Sequence, residues 1–279
     1  MVGGWSGGLQ LANAKNAGVD TSASTGIGMT SGSAYTKGGW VELIASTTSD
    51  SSWMMAMPNV SSSSGSWLAF DIGVGASGSE VAVVSNLVSN QQGGNMTFYM
   101  FPLSVSSGTR ISARVSSNFA FDWAVIKVTL FDDVAASARA GSIVDTYGFS
   151  SSTNTGTQVD TGGTVNTKGS YAQITASLTY DIAGFFLAFD GRNKTGGSAG
   201  RVKMLMDIAV GGAGSEKVIV PDFLLMNDYG SGWGLHYPDT MPYVPIPIKS
   251  GTRVSARAQG DVNTSPDRLF GVTFYGVRQ

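Results

Sequence analysis

Hydrophobic and polar residues alternate along most of this chain with a period of two, in short runs rich in Val, Ile, Thr and aromatic residues. Clusters of Gly, Ser and Asn separate the runs, and no long stretch has helical periodicity. This pattern is typical of half-buried strands joined by turns. It predicts strands at residues 40–46, 67–74, 80–87, 96–103, 109–116 and 123–131, and again at 171–177, 185–190, 201–210, 216–225, 243–248, 252–258 and 269–277.

The two series of strands belong to an internal repeat. TKGGW at 36–40 matches TKGSY at 167–171, DIGVGASGSE at 71–80 matches DIAVGGAGSE at 207–216, and SGTRISAR at 107–114 matches SGTRVSAR at 250–257. The offset between the copies grows from 131 to 136 to 143 residues. Because insertions are tolerated in surface loops, the growth indicates longer loops in the second copy.

We therefore expect an all-β protein of two tandem β-sandwiches, of jelly-roll or immunoglobulin-like form. The expected domains are 1–136, an N-terminal arm plus the first sandwich, and 137–279, a linker plus the second. The first 30 residues, rich in Gly and Ala, read as an extended arm that lies on a neighbouring subunit. Residues 132–140 have the composition of a short linker helix.

Composition narrows the function. The chain has 279 residues, 13% of them charged, a net charge of −2, no Cys and one His. These counts exclude disulfides, thiolate chemistry and multi-His metal sites, and the slight negative charge argues against nucleic acid as a partner. No apolar run is as long as a membrane span. The scarcity of charge favours a homo-oligomeric subunit covered by neighbours, although Ser, Thr and Gly on solvated sheets would also account for it.

One segment matches a nucleotide-binding pattern. Residues 73–78 (GVGASG) satisfy G-x-G-x-x-G, which binds a pyrophosphate only where a helix follows the glycines. The next residues, EVAVV at 80–84, read as a strand, and Ala209 replaces the first glycine in the second copy. The segment is therefore predicted to be a turn between strands.

Four arginines form the most regular charge feature. Strand alternation puts Arg110 and Arg114 on one face of the first copy, and Arg253 and Arg257 on the matching face of the second. They are candidate contacts to carboxylates of a neighbouring subunit. Solvent exposure or pairing within the domain is an equally weighted alternative.

Catalysis is not expected. His236 is the only imidazole, and no Gly-x-Ser-x-Gly elbow accompanies it for a Ser-His-Asp triad. A carboxylate pair drawn from distant strands stays open in principle, because such a pair leaves no local motif. We expect no enzyme, no cofactor and no metal.

The longest loop insertion in the second copy gathers aromatic residues. Tyr229, Trp233, His236 and Tyr237 lie in a Gly-rich stretch at 227–239, whereas the matching loop of the first copy is polar. Exposed aromatic faces stack on sugar rings, so this loop is a candidate contact for a host surface glycan. The alternative is packing under the loop or against another subunit.

The strongest repeat phrases resemble a domain found in virion proteins of tailed bacteriophages. The phrases are TKGGWVEL at 36–43, FDIGVGASGSE at 70–80, FPL at 101–103 and SGTRISAR at 107–114. The resemblance covers most of both copies and contains no catalytic motif. It implies a non-enzymatic structural subunit that contacts other virion proteins and assembles in the host cytoplasm.

The position on the particle follows less directly. A tail-associated place in a fibre, baseplate or collar is preferred, although the chain has no heptads of a long fibre shaft. A capsid decoration protein is the first alternative. A carbohydrate-binding adhesin or receptor-binding module is the second.

Overall fold

The computed structural model describes residues 11–22, 25–60, 66–91, 98–133, 141–190, 201–228, 240–264 and 267–279. Within these residues the chain is all β, with nineteen strands and no helix. The all-β prediction is therefore confirmed.

The strands fall into two consecutive series. The first series is β1 (Leu11–Ala17), β2 (Val19–Asp20), β3 (Thr25–Thr30), β4 (Val41–Ile44), β5 (Ser51–Val60), β6 (Ser66–Val74), β7 (Val81–Gln91), β8 (Tyr99–Val105), β9 (Ile111–Ser117) and β10 (Trp123–Asp133). The second is β11 (Val144–Tyr147), β12 (Thr157–Asp160), β13 (Ala172–Thr175), β14 (Ile182–Asp190), β15 (Arg201–Val210), β16 (Lys217–Asp228), β17 (Thr240–Val244), β18 (Val254–Gly260) and β19 (Leu269–Arg278).

Each series builds a jelly roll. In the first, two sheets have the strand orders β3-β10-β5-β8 and β4-β9-β6-β7. In the second, the orders are β12-β19-β14-β17 and β13-β18-β15-β16, which is the same arrangement. Eight antiparallel strands in two such sheets define the jelly roll and exclude the immunoglobulin order. β1, β2 and β11 are additional strands.

One strand pair joins the two jelly rolls. β7 lies parallel to β11 at Val84 and Val144, so a sheet of the first repeat continues into a sheet of the second. Within the described residues this joined sheet has nine strands. It forms a middle layer between the six-stranded sheet of the first repeat and the four-stranded sheet of the second.

The middle layer is covered on both faces at β14 and β19. Phe185 and Phe274 belong to the core of the second repeat, whereas Phe186 and Tyr275 belong to the core of the first. Strands buried on both faces need apolar residues at successive positions. The sequences IAGFFLAFD and LFGVTFYGVR meet that need.

Aromatic rings hold the repeats together. Phe186 of β14 stacks between Phe101 of β8 and Tyr275 of β19, with centroids 4.8 Å from each. Tyr99 meets Tyr275 edge to face at 5.9 Å. Such pairs add to the hydrophobic gain of burying the rings.

The buried hydroxyl of Tyr275 is satisfied by the first repeat. It donates to the carbonyl of Asn86 at 2.7 Å and accepts the N–H of Val88 at 3.0 Å. Burial raises the pKa of Tyr275 well above its usual range, so the hydroxyl stays neutral. The joint between the repeats is therefore both apolar and hydrogen-bonded.

The structure corrects two predictions near the chain start and the repeat boundary. Residues 11–30 are not an arm on a neighbouring subunit, because β1 and β3 pair with β10 of their own sandwich. Residues 132 and 133 are not helical, because they end β10. Residues 1–10 and 134–140 lie outside the described residues.

We expect Phe186→Ala to lower the free energy of unfolding by about 3–5 kcal/mol, because it removes the central ring of the joint. Phe119→Ala is the matched control, since Phe119 is 49% exposed, and should cost about 0.5 kcal/mol or less. Urea denaturation measures both. Equal losses would contradict the stacked joint.

Candidate functional site

The first repeat carries an ion cluster on the outer face of β6 and β9. Lys37 donates to Oδ1 of the buried Asp71 at 2.7 Å, and Arg114 donates to Oδ2 at 2.9 Å. The guanidinium of Arg114 lies 4.4 Å from the ring centroid of Trp40. We call these four residues cluster 1.

The second repeat reproduces the arrangement as cluster 2, formed by Lys168, Asp207, Arg257 and Tyr171. Lys168 and Arg257 donate to the two carboxylate oxygens of Asp207 at 2.8 and 2.9 Å. Arg257 lies 4.6 Å from the ring centroid of Tyr171. Phrases far apart in the sequence thus meet at one buried carboxylate in each repeat.

In each cluster the size of the aromatic ring that contacts the arginine fits the size of the residue that the ring covers. Trp40 lies so close over Gly73 that an added Cβ there would be 2.8 Å from the indole. In the second repeat Ala209 takes the place of Gly73, and the smaller Tyr171 takes the place of Trp40. The exchange of sizes keeps the packing in both repeats.

A bulge in the neighbouring strand completes each cluster. Asn86 and Asp222 both have positive φ, at 55° and 50°, where the pairing of their strands shifts register. Asn and Asp tolerate this left-handed conformation better than most residues. It directs their backbone N–H groups to Oδ1 of Asp71 at 2.9 Å and of Asp207 at 3.1 Å.

A second arginine in each repeat donates to a glutamate at the end of the turn between β6 and β7, or between β15 and β16. Arg110 donates to Glu42 at 2.7 Å and to Glu80 at 2.8 Å. Arg253 donates to Gln173 and Glu216, both at 3.0 Å. The four candidate arginines therefore have partners within their own domain, so pairing with a neighbour's carboxylates is not needed to neutralise them.

The glycine-rich segment at 73–78 is a turn from β6 to β7, as predicted. Gly75 and Gly78 have φ of 117° and 81°, which a residue with a Cβ rarely adopts. The N–H of Gly78 donates to the carboxylate of Glu80 at 2.9 Å. This turn holds a side chain of its own chain where a nucleotide-binding loop would hold phosphate.

One residue in each cluster has a pKa that its surroundings shift. Burial opposes the ionisation of Asp207, but Lys168, the N–H of residue 222 and Arg257 together hold its pKa below the usual 3.8. Desolvation by burial lowers the pKa of Lys37 to about 8, although the neighbouring Asp71 opposes the change. The Asp207 carboxylate therefore serves as a fixed anion rather than as a proton donor near neutral pH.

Outside the two clusters, the described residues form a surface cleft whose lining has no charged side chain. This cleft of about 320 Å³ lies beside the first jelly roll. Its lining is apolar or hydroxylic: Val74, Val83, Ser104, Val105, Ser106, Thr109, Ser142 and Ile143. The described residues contain no group of three His, Cys, Asp or Glu placed to hold one metal ion. No described helix is long and apolar enough to span a membrane.

The second set of candidate residues belongs to the segment that joins β16 to β17. Tyr229, Trp233, His236 and Tyr237 lie outside the described residues. The prediction of a glycan or partner contact in this loop stays a prediction.

An exposed aromatic loop between β9 and β10 is not among the sites predicted from the sequence. Phe119 and Phe121 are 49% and 74% exposed, and Trp123 follows at 38%. The alternation of aromatic residues in NFAFDW at 118–123 was the available signal. We call these three residues the aromatic tip.

The aromatic tip is held rigidly. Phe121 has a φ of 55°, which is strained for a bulky residue, and its N–H donates to the carbonyl of Gly32 at 2.8 Å. The N–H of Ser31 donates to the carbonyl of Asp122, and the N–H of Asp122 donates to the hydroxyl of Ser31, both at 2.9 Å. A loop fixed in this way presents its rings without a further ordering cost.

Comparisons with known proteins leave the function open. No family model matches the sequence, and no curated protein matches it. Among solved structures, the chain is similar to PNGF-II, with 8% identity, a TM-score of 0.35 and coverage of 86% of this chain and 59% of that one. It therefore spans less than two thirds of that protein.

Two further structures are similar. One is a peptide-N(4)-(N-acetyl-β-D-glucosaminyl) asparagine amidase, with 9% identity, a TM-score of 0.39 and coverage of 94% and 95% of the two chains. The other is the N-terminal CBM22-1–CBM22-2 tandem domain of Paenibacillus barcinonensis Xyn10C, with 10% identity, a TM-score of 0.23 and coverage of 85% and 81%. At these TM-scores the likenesses decide neither activity nor partners.

We expect Asp207→Asn to lower the free energy of unfolding by about 3 kcal/mol near pH 7, because it removes the buried carboxylate that Lys168 and Arg257 share. The pKa of Asp207 lies below 3.8 in the folded chain. Its stabilisation is therefore complete above roughly pH 5 and is lost as the pH falls through the folded value. The variant should show a flatter loss of stability in acid, measured by urea denaturation at several pH values.

Asp222→Asn is the matched control for cluster 2. The side chain of Asp222 is 61% exposed where it pairs with Lys168, and Asn86 is the natural residue at the equivalent position. It should cost about 1 kcal/mol or less. A loss as large as that of Asp207→Asn would contradict the central role of the buried carboxylate.

Proposed function

We propose that this protein is a non-enzymatic structural subunit of a bacteriophage virion, associated with the tail. The proposal starts from the repeat phrases that resemble virion domains. One observation carries it further: these phrases supply the residues of clusters 1 and 2 in both repeats. The shared sequence thus maintains a scaffold rather than a reactive site.

The geometry suits a rigid building block. The doubly covered middle layer fixes one jelly roll against the other, and the ion clusters lock the outer strands. The carboxylates with the deepest burial in the clusters have cationic partners, as Asp71 and Asp207 illustrate. The pKa of Asp207 is held below 3.8, so this carboxylate is unsuited to acid–base catalysis near neutral pH, which needs a pKa near the working pH.

The aromatic tip supplies a contact surface for this subunit. Large exposed rings on a preorganised loop are favourable anchors for another protein. Other virion proteins are the proposed partners, with assembly in the host cytoplasm. A capsid decoration protein would use the same architecture at a different place on the particle.

The virion role is tested by labelling intact particles. An antibody raised against the purified chain should decorate particles isolated from infected cells, and gold-labelled antibody under the electron microscope should distinguish tail from capsid. Labelling only on capsids would favour decoration. Particles that stay unlabelled, and whose proteins do not include this chain in a mass spectrum, would contradict the proposal.

A second candidate function is carbohydrate binding. The specific observation in its favour is the aromatic tip, where Phe121 is 74% and Trp123 is 38% exposed. Ring faces stack on the apolar faces of sugars, and a fixed loop lowers the entropic cost of binding. The predicted contact loop at 227–239 would extend this function to the second repeat.

Binding to a panel of immobilised bacterial surface glycans tests this second function. Phe121→Ala or Trp233→Ala should reduce binding at least tenfold, about 1.4 kcal/mol, if the rings stack on sugar. Val165→Ala removes an exposed apolar side chain elsewhere and should leave binding unchanged. Absence of binding by the unmodified protein would exclude glycans of that panel as ligands.

A further inference from the structure

The two jelly rolls are equivalent beyond their shared phrases. β1 pairs with β10 as β11 pairs with β19, with Ala17 opposite Val128 and Tyr147 opposite Phe274. Gly18 and Gly148, which follow β1 and β11, have φ of 78° and 75°. Each surface of one repeat therefore has a definable counterpart in the other.

Each repeat has an ion pair at the same two strand positions, with the positive and negative residues exchanged between the repeats. Lys15 of β1 pairs with Asp132 of β10 at 3.2 Å. Asp145 of β11 pairs with Arg278 of β19 at 2.6 Å. The same two strand positions carry opposite signs in the two repeats, which supports the alignment of strands.

Within the chain, the second repeat presents a specific face to the first. This face consists of Phe186, Ala188, Tyr275 and Val277, which pack into the first core. The first repeat receives it along β7, where the N–H of Val88 donates to Tyr275. We call this contact the internal joint.

The first repeat has the counterpart of the face that the second repeat buries. Met55 pairs with Thr129 as Phe186 pairs with Tyr275, so these strand positions correspond. By the same register Met57 corresponds to Ala188. Phe131, two residues beyond Thr129, corresponds to Val277. Met55, Met57 and Phe131 are half-buried and alternate with the core residues Met54, Ala56 and Leu130, so they lie on the other face of their sheet.

The second repeat has the counterpart of the receiving strand. Val84 and Val88 of β7 correspond to Val220 and Leu224 of β16, since Asn86 and Asp222 occupy the same bulge. Val88 is buried in the internal joint, whereas Leu224 is 57% exposed. β16 has β15 on one side and no other described strand on its outer edge.

We propose that one copy of this chain docks on the next head to tail, with the face of Met55, Met57 and Phe131 seated against β16 of its neighbour. This contact repeats the internal joint between molecules. It deepens the proposed structural function, on which its biological setting rests, by naming the partner as a second copy and the surfaces as these two.

One residue changes how the contact is made. Pro221 stands where β7 has Ser85, and proline has no N–H to donate to a further strand. The contact between copies therefore depends on side chains rather than on a continuous sheet.

The geometry of the contact is heterologous, because two different surfaces meet. An open assembly then keeps one unused surface of each kind, one at each of its two ends. Such contacts produce rings when the rotation closes and filaments when it does not. A symmetric dimer is not the expected product.

Complementation between two blocked variants tests the proposal. Leu224→Asp blocks the β16 surface and Met55→Asp blocks the docking face. The unmodified chain should form species larger than a dimer in sedimentation velocity, and each variant alone should be a monomer, with association weakened at least tenfold. An equimolar mixture should give dimers, because each variant keeps the surface that the other lacks.

Val165→Asp is the control, since Val165 is an exposed apolar residue in the loop between β12 and β13. It should assemble like the unmodified chain. Formation of the mixed dimer also shows that both variants are folded. An unmodified chain that stays monomeric at millimolar concentration, a mixture without dimers, or equal disruption by the control would overturn the proposal.

The two proposals fail separately. Particles labelled by the antibody, together with a chain that is monomeric in solution, would overturn head-to-tail docking and leave the virion role standing. Unlabelled particles, together with complementation between the two variants, would overturn the virion role and leave the docking contact standing.

Discussion

Burial of β14 and β19 on both faces is the constraint on which the rest of the molecule depends. A jelly roll by itself needs only one apolar face per sheet. Here Phe185 and Phe274 face one core while Phe186 and Tyr275 face another. The hydroxyl of Tyr275 lies in this apolar layer only because the backbone of β7 provides its partners. The second repeat therefore supplies part of the hydrophobic core of the first, and the two repeats share one packed interface.

The ion clusters neutralise the buried carboxylates on the outer sheet face of each repeat. Asp71 and Asp207 are buried at the centre of a sheet face, where an unpaired carboxylate would be costly. Each is met by a lysine, an arginine and a backbone N–H from a bulge. Because these partners come from three separated segments, the cluster fixes the relative register of those segments. Its conservation between the two repeats of one chain is explained by this structural role.

The sequence predicted the parts of the fold that obey a local rule. Arg110 and Arg114 were placed on one strand face, and the turn at 73–78 was recognised from the strand after it. β5 was missed because its sequence, SSWMMAMPNV, has methionines and a proline in place of β-branched residues. β1 to β3 were missed because their Gly and Ala residues give no alternation, and their pairing with β10 comes from distant sequence. The partners of the arginines could not be predicted either, since alternation fixes a face but not the carboxylate opposite it.

Differences between the repeats are more informative than their similarities. Positions that carry Phe, Ala and Val inside the internal joint carry Met55, Met57 and Phe131 on the outer surface of the first repeat. These three positions keep an apolar side chain, although solvent exposure alone would favour polar residues there. Leu224 likewise stays apolar at the position of the buried Val88, while Pro221 prevents the edge from extending as a strand. The edge of β16 cannot pair fully with a further strand, and Met55, Met57 and Phe131 keep the opposing face apolar. Together these features favour a side-chain contact with a defined partner over unspecific extension of the sheet.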